Sequence, residues 1–246
     1  MNIDKSFVIS VKEAEDRRKQ FLESNDLDVE MFIVNRNSDP TKGNYESHKA
    51  VIETGKKRKY KTILVFEDDS VPLIDTKKII NYVNKFLENP PKDWKILSLG
   101  YLPISLKSTD NDSLFKINCA YDAHAYLVNL DNVDITPYNG VAFDSYLFCQ
   151  DIDPRFIIKS LSNNPSEGIY AHYPMLYRQK AKKSYIAGVD LFQKYFFNIF
   201  GYNTSAKLSS YVNILYIIFL IIVLFFILLS VGVYFMVKNK RFFGAP

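Results

Sequence analysis

Three consecutive acids, Glu67, Asp68 and Asp69, are the residues best placed to do chemistry, because they stand where the apolar block Ile63-Leu64-Val65-Phe66 stops. Adjacent carboxylates repel one another and lose solvation unless something positive joins them. Hard oxygen ligands suit magnesium or manganese, and such an ion would carry phosphate oxygens with it. A solvated turn that caps whatever follows suits the same acids. From these residues alone both readings stand, and neighbouring segments must decide between them.

The block before the acids is short, continuous and rich in β-branched and large side chains, which predicts a strand buried on both faces, as in a parallel sheet. Pro72 is expected to stop the ladder there, and ligand crevices of open α/β sheets lie just beyond the carboxyl ends of such strands. Further strands are predicted at Phe7–Val11, Val29–Val34, Trp94–Gly100, Ala123–Val128 and Gly168–Tyr173. Helices are predicted at Glu13–Glu23, Tyr45–Lys59, Thr76–Leu87 and Phe143–Cys149, with Leu106–Ser113 a polar surface loop able to close over a ligand. Alternating strands and helices over residues 5–180 predict an α/β layered fold with a central, mostly parallel sheet.

Composition narrows the function classes. A charged fraction of 24% and an aromatic fraction of 15% exclude a disordered chain. A net charge of +4 is too mild to argue for nucleic acid. Cys119 and Cys149 lie far apart without metal spacing, so no disulfide framework is expected and a reducing compartment fits. The run from Tyr211 to Val237 has no charged residue and is long enough to span a bilayer with some tilt. It is read as a transmembrane anchor contacting membrane lipid. Residues 184–210 form an aromatic, amphipathic linker before it, and 238–246 a short basic tail after it. With no export signal at the N-terminus, the expectation is a tail-anchored protein whose residues 1–183 face the cytosol, an endomembrane lumen being the alternative.

Several segments in order resemble glycosyltransferase family 25, the group that includes lipopolysaccharide-biosynthesis and procollagen galactosyltransferases. The resemblance runs through Phe7–Val11 with Arg17-Arg18, Gly43–His48, Ile63–Val71, Trp94–Gly100, His124–Val128, Ala142–Leu147 and Ile169–Gln179. Ser10 stands where the family usually has Asn, and Glu46 where it usually has an apolar residue.

The resemblance implies a GT-A-like nucleotide-sugar-binding domain. It also implies an inverting hexosyl transfer, of galactose or glucose, from a UDP-sugar to a glycan, lipid-linked or protein hydroxyl. In that reading Asp68 and Asp69 hold Mn²⁺ or Mg²⁺, with His172 a speculative third ligand. Inversion needs a carboxylate base opposite the leaving group, and Asp144 is the candidate; its alternative role is a helix N-cap. Arg17, His48, Glu67, His124 and Tyr126 are the candidate substrate contacts, although His48 and His124 also suit structural roles and Arg17 a solvated helix face. The literal Asp151-Ile152-Asp153 ranks below Asp68–Asp69 as a metal site. The rival expectation is a catalytically inactive relative that binds a glycan or partner at the membrane.

Overall fold

In the computed structural model, described for residues 2–149, 167–180, 197, 199–211, 218–231 and 234, the acid-tipped strand lies inside a six-stranded sheet. The strands are β1 (Lys5–Val11), β2 (Glu30–Val34), β3 (Thr62–Glu67), β5 (Ile96–Ser108), β6 (Leu114–Asn129) and β7 (Ile169–His172), in the spatial order β2-β1-β3-β6-β5-β7. Only β6 runs against the others. The fold is therefore mixed α/β with a mostly parallel sheet, as the alternation predicts.

Layering follows from the side-chain alternation of the strands. On one face Phe7, Ile9, Ile63, Val65 and Tyr126 pack with Tyr45, Val51 and Ile52 of α2 (Pro40–Lys57) and Phe143 of α4 (Phe143–Cys149). On the other, Val8, Leu64, Phe66 and Leu97 pack with Phe21 of α1 (Glu15–Ser24) and Ile79 and Val83 of α3 (Thr76–Glu88). α2 starts earlier than its apolar pattern suggests, because Asp39 caps it by accepting from Thr41 and Lys42 N–H while Pro40 fills the first turn.

Four expectations are corrected. Leu106–Ser113 is not a free loop: β5 runs on to Ser108, and β5 and β6 form one long hairpin that curls until Leu114–Lys116 pairs with β7. The ladder that Pro72 ends is not that of β3, which stops at Glu67, but a two-stranded antiparallel pair between β4 (Ser70–Pro72) and β8 (Tyr177–Gln179). Cys119 is disulfide-bonded, and Cys149 at the end of α4 is the chain's one other cysteine. Separation along the chain is no guide to distance in the fold, and the cysteines no longer argue for a reducing compartment. Finally, part of the expected linker is α5 (Tyr202–Ser210), which docks on the domain: Ala206 is buried in the α2-side core and Asn203 Oδ1 accepts from Met175 N–H at 3.2 Å.

Residues 218–231 are helical with apolar side chains exposed throughout. Among the described residues no helix is long and apolar enough to cross a membrane; residues 212–217, 232–233 and 235–237 of the expected span lie outside them, as do Asp151–Asp153.

Gly100 shows how tightly the strand ends are packed. A methyl group there would meet His124 Nε2 at 2.2 Å and the Tyr177 carbonyl at 2.8 Å. Gly100→Ala is expected to cost about 1–3 kcal/mol and lower the thermal midpoint by roughly 2–12 °C, read by circular dichroism; an unchanged midpoint would contradict this packing.

Candidate active site

The sheet order itself selects a location. β1 leads to β2 on one side, and the chain then crosses back to place β3 on the other. The crevice beyond the ends of two strands whose connections diverge is the usual ligand position in open α/β sheets. β1 ends there with Ser10, and β3 with Glu67, followed by the turn residues Asp68 and Asp69. The turn is tied down on both sides, Asp68 N–H donating to Ile9 O (3.1 Å) and Lys180 N–H to Asp69 O (2.9 Å).

Alternation sends the three acids to different partners. Glu67 turns to the α2 side, where His48 Nε2–H (3.0 Å) and Asn44 Nδ2 (2.9 Å) donate to its Oε1. A carboxylate acceptor fixes that tautomer, so His48 Nδ1 accepts from the Tyr126 hydroxyl at 2.7 Å. The imidazole also lies flat on Phe143, centroids 4.4 Å apart. Burial works against the Glu67 charge, but the His48 hydrogen bond and the nearby imidazoles prevail and hold its carboxyl below the usual range.

Asp68 turns to the α1 side. Its Oδ2 accepts from the Ser10 hydroxyl at 2.6 Å, and its Oδ1 forms an ion pair with Arg17 Nε at 3.2 Å. Ser10 is itself held by Arg18 Nη1 at 3.0 Å, and Arg18 also bonds the Val11 and Lys12 carbonyls. Asp68 still sits above its ordinary pKa, because burial outweighs these partners.

Asp69 is the least satisfied of the three. Arg17 Nη1 lies 3.6 Å from its Oδ2, and its Oδ1 is buried without a hydrogen-bond partner. Burial, then the charges of Glu67 and Asp68, push its carboxyl well above the usual range, with Arg17 offsetting only part.

Asp68 and Asp69 line a cleft of about 260 Å³ between α1 and the β4–β8 pair. Arg17, Arg178 and Lys180 add three cations to its walls, and Lys180 Nζ is steadied by Gln20 Oε1 at 2.8 Å. The orphaned Asp69 Oδ1 fits a divalent cation. Among the described residues no group of three or more His, Cys, Asp or Glu converges to hold a metal; Asp68 and Asp69 supply two carboxylates, and Glu23 also lines the cleft. That suits an ion of the magnesium type, which is usually bound by one or two carboxylates plus substrate phosphates and water.

The other expected site residues are sorted by burial. Of the candidate substrate contacts, Arg17 alone lines the cleft. His48, Glu67 and Tyr126 form the buried network behind it, as buried polar groups must. His124 is 2% exposed, pressed against Gly100, and its pKa is driven down to about 4 by burial; it is a core histidine.

His172 is not brought to the acids. β6 and β5 separate its strand from β3, its Nδ1 bonds Pro174 O at 2.8 Å, and Tyr82 packs on its ring. Asp144 is in the first turn of α4 rather than at an N-cap. Its Oδ2 accepts from the N–H of Asp122 at 3.1 Å, a residue with φ of 66° in the irregular stretch of β6. Phe143, stacked on His48, carries α4 to the Glu67 side of the strand ends. Ser10, Arg18, Gln20, Arg178 and Lys180 were not singled out as site residues by their sequence context, since isolated basic or polar residues on a helix or after a short strand carry no pattern.

No family model and no curated protein matches the chain. Solved structures with a related chain trace include A197 from STIV, with 17% identity, a TM-score of 0.41, and 70% of this chain and 81% of that chain covered. HddC from Yersinia pseudotuberculosis gives 12% identity and a TM-score of 0.36, covering 78% and 79%. A glycosyltransferase involved in the glycosylation of the major capsid of PBCV-1 gives 8% and 0.35, covering 77% and 99%. Likenesses this distant carry no argument about function.

Asp69 sets a stability consequence. A carboxyl whose pKa is raised on folding stabilises the fold below its unfolded pKa, and that contribution is lost as pH rises through the folded value. At pH 7 with chelator present, Asp69→Asn is therefore expected to raise the thermal midpoint by about 2–4 °C. The gain should shrink as pH falls toward 4. A lower midpoint at pH 7 would contradict it.

Proposed function

We propose that the chain is a metal-dependent glycosyltransferase, of the family 25 type, that moves a hexose from a UDP-sugar to a hydroxyl acceptor. The observation that carries this is the acid pair at the strand-order switch, with one orphaned carboxylate oxygen, inside a cleft walled by Arg17, Arg178 and Lys180. Cations surrounding paired acids suit a diphosphate that arrives with its own ion.

In this reading the diphosphate of the donor lies on the α1 side. Asp69, with Asp68 beside it, would hold Mn²⁺ or Mg²⁺. When bound, such an ion supplies Lewis-acid stabilisation of the departing nucleoside diphosphate. Arg178 and Lys180 add charge to the phosphate oxygens, and the Ser10–Arg18 clamp keeps Asp68 oriented. The acceptor approaches from the α4 side, where Asp144 takes the proton of the attacking hydroxyl. The buried Glu67–His48–Phe143 stack fixes the two sides relative to each other. The acceptor is a glycan, a lipid-linked sugar or a protein hydroxyl. Residues 211–237 are read as the membrane anchor, an assignment that agrees with the exposed apolar helix at 218–231. The Cys119 disulfide favours an oxidising side for the domain over the cytosolic side. Protease protection in sealed vesicles decides between them: full protection is expected, and digestion restores the cytosolic placement.

The test is a donor assay on the detergent-solubilised full chain with UDP-galactose or UDP-glucose and Mn²⁺. Saturable UDP binding and hexose transfer are expected, both lost in Asp69→Ala. Asp144→Asn should keep UDP binding while transfer falls about 10²–10⁴-fold. No UDP binding, with or without metal, overturns the assignment. UDP binding without transfer to any hydroxyl acceptor would instead leave a membrane-anchored binding module.

A further inference from the structure

Arg17 stands in an unusual place for a phosphate-binding residue, since its guanidinium is spent on the acids. Nε reaches Asp68 Oδ1 at 3.2 Å and Nη1 faces Asp69 Oδ2 at 3.6 Å. Both contacts are ion pairs, the first within hydrogen-bond distance and the second beyond it. The guanidinium thus bridges the two carboxylates that would hold a divalent ion.

Neither acid needs Arg17 to stay where it is. Asp68 retains the Ser10 hydroxyl at 2.6 Å, backed by Arg18, and its own N–H on Ile9 O. The Asp69 main chain retains Lys180 N–H. Departure of Arg17 would uncover Asp68 Oδ1 and leave Asp69 Oδ2 with only Gln179 Nε2 at 3.5 Å, next to the already unpartnered Asp69 Oδ1, without loosening the turn. The side chain also has somewhere to go. It projects from the first turn of α1, is 28% exposed, and shares its cleft with Arg178 and Lys180. A planar fork of donors matches phosphate oxygens well.

We propose that Arg17 competes with the divalent ion for the acid pair and, once displaced, turns its guanidinium onto the diphosphate in the same cleft. This rests on the donor-site reading above. It predicts effects of opposite sign on two ligands: Arg17 weakens binding of the metal alone and strengthens binding of the nucleotide diphosphate. A residue that merely held the acids in place would favour both.

The experiment titrates Mn²⁺ alone into the detergent-solubilised full chain, with free Mn²⁺ counted by electron paramagnetic resonance, and then UDP at saturating Mn²⁺ by calorimetry. Arg17→Ala should bind Mn²⁺ about fivefold tighter or more and UDP about tenfold weaker. Arg17→Lys, which keeps the charge, should stay near the parent for Mn²⁺. Arg17→Gln serves if the alanine variant loses its circular dichroism. Mn²⁺ binding that is unchanged or weaker in Arg17→Ala, while Asp69→Ala abolishes it in the parent, overturns the exchange and leaves the donor site standing. If neither the parent nor Arg17→Ala binds Mn²⁺, both ideas fall.

Discussion

Three adjacent carboxylates at the end of one buried strand are an electrostatic problem, and much of the surrounding structure is arranged around its solution. The pleat and the turn separate the charges by direction. Glu67 goes to one face, where hydrogen bonds from His48 and Asn44 stabilise its charged form. Asp68 goes to the other and is held by Ser10 and Arg17. Asp69, in the turn between them, is left with a buried oxygen and no hydrogen bond to it. Among the described residues, two acids have hydrogen-bond partners on their own sides of the sheet, and the third keeps one oxygen without any.

That division explains why so many polar side chains are spent behind the cleft rather than in it. Tyr126, His48 and Glu67 form a chain of hydrogen bonds, and Phe143 closes it by stacking on the imidazole. A fully satisfied buried network is stiff, and this one ties β3, β6, α2 and α4 together at the strand ends. His124 is packed against Gly100 beside it. Rigidity on the α2 side contrasts with the α1 side, where Arg17 reaches both acids through ion pairs, at 3.2 and 3.6 Å.

The fold class and the place of the acids were legible in the sequence because they depend on local signals. The apolar block Ile63–Phe66 is strand-like whatever surrounds it, and its abrupt acidic end marks where that strand stops. Helix α3 was equally plain from Ile79, Val83 and Leu87. What was hidden depends on contacts distant along the chain. Nothing near Tyr177–Gln179 announces that it will pair with Ser70–Pro72 and bring Arg178 and Lys180 to the cleft. Nothing near Cys119 announces its bond. The placement of the histidines was hidden for a related reason: the side chain is versatile, and only the fold shows that His48 and His124 are buried and that His172, bonded to nearby Pro174, lies strands away from the acids. Ser10 looked like a departure from the family pattern, yet its hydroxyl makes the shortest hydrogen bond to Asp68.

The central claim is that Asp69 completes its coordination with a cation that also carries a diphosphate. Crystals of the chain grown with Mn²⁺ and UDP, measured for anomalous scattering from manganese, address it directly. The account predicts one strong anomalous peak about 2.0–2.3 Å from Asp69 Oδ1, sharing its coordination with diphosphate oxygens in the cleft of Arg178 and Lys180. UDP bound elsewhere, with no peak at the acid pair, would contradict it.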